Sequence, residues 1–167
     1  MKAIRHLALA ALLSAATPLA RAELSVPEQP MTAERLFNII EERSIEPERQ
    51  GNVLLFDVAG IPFICVVDEN SDRMRLIAPV TKYADVTAEQ RDRMMEANFS
   101  TALDARYGVN QGIVYAAYLH PLSPLQEAQV LDAIMQVATL KEEFGKSYAS
   151  SRLGFGGIRE QEPAPSL

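Results

Sequence analysis

Asp68, Asn70 and Asp72 alternate along the chain, and alternating oxygen donors are how a calcium-binding loop opens. Such a loop needs glycine at its sixth position for a sharp turn and a bidentate carboxylate at its twelfth. Arg73 and Pro79 stand there instead. The run therefore reads as an ordinary polar turn, because Asp and Asn hydrogen-bond their own backbone in turns. Zinc or iron would need paired His or Cys, and beyond the first few residues the chain has one histidine, His120, and one cysteine, Cys65. Cys65 can form no internal disulfide; within Ile61-Pro62-Phe63-Ile64-Cys65-Val66-Val67 it reads as a small buried side chain. No Gly-x-Ser-x-Gly elbow presents a serine nucleophile. Asp104 and Arg106 alternate with Leu103, Ala105 and Tyr107, which places the charged two on one face of a strand as a solvent-facing ion pair. A hydrolase or isomerase using Asp104, His120 or Asp57 in a cleft is the enzymatic alternative. The preferred reading has no catalytic residue, no metal and no cofactor.

The elements that would position these residues are legible from periodicity and turn chemistry. Thr32 is a good N-cap, and Leu36, Phe37 and Ile40 follow it at helical spacing. Pro47 and Gly51 end that pattern, so the segment between them reads as a loop. Three runs at 53–58, 61–67 and 74–80 are rich in β-branched and aromatic residues. Ala59-Gly60 gives a tight hairpin and 68–72 a longer polar turn, which together predict an antiparallel meander. Thr87 with Gln90 forms a capping box for a second helix. Residues 99–107 and 113–119 read as a second hairpin around Gly112, and Ser123-Pro124-Leu125-Gln126 as the start of a last helix carrying Val130, Leu131, Ile134, Val137, Ala138 and Phe144. The expected fold is α+β, an open antiparallel sheet with helices in the order α-β-β-β-α-β-β-α.

The amino terminus has a separate character. Lys2 and Arg5 precede an apolar run over 7–19 that is too short to span a bilayer, and Ala20-Arg21-Ala22 then supplies the small-x-small pattern of a signal peptidase site. This order predicts a signal peptide over 1–22 with cleavage between Ala22 and Glu23, hence a periplasmic or secreted protein. A leader over 23–30, one domain over 31–150 and a flexible tail over 151–167, with its Gly154-Phe155-Gly156-Gly157 cluster, complete the expected organisation. Cleavage would remove Lys2, Arg5 and Arg21 and leave 145 residues with 13 basic and 22 acidic side chains, a formal charge of -9. Such a surface repels phosphate backbones and anionic lipid, so nucleic acid is not an expected partner, and no further long apolar stretch offers a stable membrane span.

An excess of apolar strand faces is the strongest functional signal. Ile61, Phe63, Cys65 and Val67 share one face of their strand while Pro62, Ile64 and Val66 share the other. Ile113, Tyr115, Ala117 and Leu119 likewise oppose Val114, Ala116 and Tyr118. An open antiparallel sheet normally alternates apolar with polar, and these strands do not. Helices on both faces are the simpler explanation. A partner polypeptide or a second subunit on part of one face is the sharper one, with Phe63, Ile64, Val66, Tyr115 and Tyr118 as the candidate partner-binding surface.

The segment Asn98-Phe99-Ser100-Thr101-Ala102-Leu103-Asp104-Ala105-Arg106-Tyr107, followed by Ile113-Val114-Tyr115-Ala116-Ala117-Tyr118-Leu119-His120-Pro121-Leu122-Ser123, resembles the bacterial YbjN-type family, which shares a fold with type III secretion chaperones. The resemblance covers roughly 32–144 and lies in the order of elements more than in an invariant motif. It implies a non-enzymatic protein that binds other polypeptides, often as a homodimer, and it supplies no catalytic residues. A signal peptide sets this chain apart from cytoplasmic secretion chaperones, so the expectation is a chaperone-like binder in the bacterial envelope, with a structural homodimer lacking any third-party ligand as a further alternative.

Overall fold

From Ala33 onward the backbone is built of helices and strands, and the inner strands bury alternate residues. The structure, a computed structural model, describes residues 29–151. The expected signal peptide, its cleavage site at Ala22 and Glu23, most of the leader and the glycine-rich tail lie outside the described residues.

Helix α1 (Ala33–Glu41) starts where Thr32 Oγ1 accepts the Arg35 N–H at 3.2 Å, and it buries Leu36, Phe37, Ile39 and Ile40. Strands β1 (Ile45–Gln50), β2 (Val53–Val58), β3 (Ile61–Asp68) and β4 (Arg73–Lys82) follow as an antiparallel meander. Helix α2 (Ala88–Ser100), strands β5 (Arg106–Asn110) and β6 (Ile113–Pro121), and helix α3 (Glu127–Glu142) complete the chain. The six strands form one sheet in the order β1-β2-β3-β4-β6-β5. At the β2–β3 turn, Ala59 and Gly60 both adopt positive φ, which matches the twist of the paired strands, and Asp57 Oδ1 accepts the Gly60 N–H at 2.7 Å. Gly112, at φ +76, closes the β5–β6 hairpin in the same way.

Three expectations are corrected. The segment read as a loop after α1 is the edge strand β1. All six of its residues are exposed, so no alternation betrays it, and Pro47 is tolerated because the register shifts between Ile45 and Glu48 on an edge strand. The strand expected over 99–107 is a helix end, a turn and then a strand: α2 continues to Ser100, and β5 begins only at Arg106. The intervening N–H groups of Asp104 and Ala105 are taken by the Gln136 side chain, at 2.9 and 3.1 Å, instead of by a strand ladder. Helix α3 starts later than expected because Ser123 is engaged elsewhere: its N–H and hydroxyl both bond the Asp72 carboxylate, at 2.7 and 2.9 Å. Gln126 stands at the N-cap in its place, its N–H donated to Gln129 Oε1 at 2.9 Å. The Thr87–Gln90 box at the start of α2 forms as read.

Helix α3 lies across β4 and β6, α1 packs against α3, and α2 closes the β5 side. Between sheet and helices sits the core, with Leu36, Leu54, Phe63, Leu76, Val114, Val130 and Leu140 at or near complete burial. Helices on both faces, the simpler of the two explanations for the apolar strands, are not found among the described residues: the described helices pack on one face and leave the other open. None of the described helices is long and apolar enough to cross a membrane.

Candidate binding face

Directly opposed residues of antiparallel strands send their side chains to the same face, so the register maps the open side. One row runs Glu48, Leu55, Ile64, Ile77, Ala117 and Arg106 across all six strands. The next runs Gln50, Val53, Val66, Arg75 and Leu119. Pro79, Tyr115 and Gly108 form part of a third. The middle of the sheet thus presents a continuous apolar belt, half-buried by its own neighbours, with Leu119 56% exposed at its border. The strands on this side bury alternate residues only, as β3 does with Phe63, Cys65 and Val67 inward and Pro62, Ile64 and Val66 outward.

This geometry divides the expected partner surface. Ile64, Val66 and Tyr115 lie on the open face. Phe63 and Tyr118 do not: both turn to the helix side and are buried, Phe63 stacked on Phe56 with ring centroids 5.2 Å apart and Tyr118 stacked on His120 at 6.0 Å. The correction follows from the period of two, which sends Phe63 and Ile64 to opposite faces.

No hydrogen bond joins Asp57, Asp104 and His120, the residues of the enzymatic alternative, to one another. Asp57 sits in the β2–β3 turn, bonded to the Gly60 backbone. His120 is at the end of β6, where Nδ1 is 2.7 Å from the Pro121 carbonyl. Asp104 precedes β5 and contacts Gln136 Nε2 at 3.4 Å. The Asp104–Arg106 ion pair is replaced as well: the Arg106 guanidinium turns back to the carbonyls of Leu103 and Ala105. Among the described residues, no group of three or more His, Cys, Asp and Glu side chains could hold a metal ion. Cys65 is free and buried, and burial pushes its thiol up to about 12, far from the thiolate needed for reaction. Burial also raises the Tyr118 hydroxyl, with the carboxylates of Asp104 and Asp132 adding to the effect. Asp68 and Asp72, the imagined calcium donors, serve the turn: Asp68 Oδ1 accepts from Ser71 N at 3.1 Å and Asp72 from Ser123, and these donors hold both carboxyls below the usual range.

Gln136 is the polar residue that sequence reading missed. It is 2% exposed, accepts the two N–H groups that follow α2, and donates to Asp132 Oδ2 at 2.7 Å. Its place among the apolar positions of α3 is the one signal that could have revealed it, because a buried amide must find partners. A second omission is the apolar pair on the outside of α2: Met95 and Phe99, one turn apart, are 70% and 92% exposed.

No protein-family model matches the sequence. No curated protein matches it. Among solved structures, a chain of the HopA1–SchA chaperone–effector complex superposes with a TM-score of 0.52 at 11% identity, over 69% of this chain and 98% of that one. A chain of the ExoT–SpcS complex from Pseudomonas aeruginosa gives 0.49 at 18% identity, over 67% and 93%, and one of the ExsC–ExsE complex gives 0.49 at 15%, over 67% and 92%. At such identity the likeness is one of fold: the chain has the α+β, open-sheet architecture of the type III secretion chaperone kind that the sequence resemblance implied.

Proposed function

We propose that this chain is an exported, chaperone-like module of the bacterial envelope, an outlying relative of the YbjN-type proteins, which holds a partner polypeptide on the open face of its sheet. The observation that carries the reading is the belt of Leu55, Ile64, Ile77, Ala117 and Tyr115, which the described helices, all on the other side, leave uncovered. Contiguous apolar surface of this kind is uncommon on a protein with no partner. The order of charge, apolar run and Ala20-Arg21-Ala22 supports export, and the fold likeness supports a binding role over a catalytic one. The test is affinity capture from periplasmic extract with the wild-type protein and with an Ile64→Asp, Tyr115→Asp variant side by side. A polypeptide retained by the first and lost from the second supports the reading; capture unaffected by the variant ends it. Export is checked by fractionation and by mass spectrometry, with Glu23 as the expected first residue.

A second reading, a homodimer, is favoured by the exposed Met95–Phe99 pair on α2, which packs against the edge strand β5, where Val109 is also exposed. Light scattering decides it. A twofold mass that falls to the monomer in Phe99→Asp places the contact on α2.

A further inference from the structure

The two halves of the open face differ in charge. Toward β1 and β2 it carries Glu48 and Asp57. Toward β4, β6 and β5 it carries Arg73, opposite Asp68 at the border; Arg75, in register between Val66 and Leu119; Lys82, opposite Ile113; and Arg106, opposite Ala117. Elsewhere Arg43 meets Glu42 and Glu127, Arg49 meets Glu41 and Arg93 meets Glu96, while Arg91 covers the Tyr83 ring and Arg73 and Lys141 bond backbone carbonyls. Arg75, Lys82 and Arg106 make no ion pair with any carboxylate among the described residues, in a chain of 22 acidic and 16 basic residues where carboxylates are in surplus. Cations beside an apolar belt give this half of the face a positive character that an acidic occupant complements.

We infer that the segment held on this face is acidic, an apolar stretch flanked by Asp or Glu side chains that pair with Arg75 and Lys82. This rests on the open face being the binding surface and names the chemistry of what binds. Arg75 and Lys82 lie near opposite ends of β4, about 20 Å apart at the rise of a strand. The carboxylates of the occupant are then separated by about 13 residues if it is helical or about 6 if it is extended. A basic segment is disfavoured on the same half of the face, since like charges beside apolar surface repel in a medium that screens them poorly.

Two labelled probe peptides of about 18 residues test this. They share one Leu/Ala apolar face, and the other face carries Glu in the first and Lys in the second. Fluorescence anisotropy with the purified protein should show the Glu peptide binding about tenfold tighter at low salt, an advantage that shrinks toward 0.5 M salt. An Arg75→Glu, Lys82→Glu variant, whose circular dichroism and melting curve should match wild type because both side chains are exposed, should reverse the preference. Equal or tighter binding of the Lys peptide to wild type overturns the inference while leaving the open face as a binding surface. A Glu preference that survives in the variant overturns it too, by placing the selectivity elsewhere. If neither peptide binds at about 1 mM, the open-face reading itself fails and the inference falls with it.

Discussion

Asp72 ties together two segments 51 residues apart, the β3–β4 turn and the approach to α3, through one carboxylate and the N–H and hydroxyl of Ser123. These donors hold its carboxyl below the ordinary value of 3.8. A group whose folded-state value is depressed contributes stability that is complete above its ordinary value and is lost as pH falls through the lowered one. Asp72→Asn should therefore melt below wild type near neutral pH, and the difference should narrow as pH drops below about 4; thermal melts across that range check it. Gln136 makes a sharper case because it is buried. Gln136→Leu keeps the volume but orphans the N–H groups of Asp104 and Ala105, and should cost about 1–3 kcal/mol in urea unfolding. Residue-scale reading from sequence reached Cys65 as a small buried side chain and the Asp-rich run as a turn, since both follow from local chemistry. It could not reach Ser123–Asp72 or Gln136–Ala105, because those partners meet only when distant segments pack.

Helix α2 illustrates how an element stands with little core behind it. Of its 13 residues only Met94 and Ala97 are buried, so its ends matter more than its stripe. The Thr87–Gln90 box holds one end, and the Asn98 amide grips both backbone groups of Tyr107 near the other, accepting from N at 2.7 Å and donating to O at 3.0 Å. Thr87→Ala should cost about 1 kcal/mol, read as a lower urea midpoint and as earlier amide exchange over 88–100 than in α3. Cap chemistry made the start of α2 legible in the sequence. Its end was not, because Leu103, Ala105 and Tyr107 alternate with Asp104 and Arg106 as in a strand, and the exposed Phe99 adds an aromatic to the same run without marking the helix. Edge strand β1 was hidden for a related reason. It is held by backbone pairing to β2 and by Arg49, which reaches Glu41 and covers the Phe37 ring, and neither leaves a hydrophobic pattern.

At the scale of the molecule, adjacent residues of β3 should respond in opposite ways. Phe63→Ala removes a ring from the core and should cost about 3–5 kcal/mol in chemical denaturation. Ile64→Ser, one position on and facing out, should change stability by no more than about 1 kcal/mol while weakening partner capture. The contrast measures how far the open face is free of the fold's own needs. From its residues alone the chain declares its class, the meander, the hairpins and the caps, because period, turn chemistry and capping act over a few neighbouring residues. It also declares that both sides of β3 and β6 are apolar. Which side the described helices take, and that they leave the other uncovered, was settled only by packing. A period of two separates the faces of a strand without saying which one α3 will cover, since that depends on contacts between parts of the chain tens of residues apart.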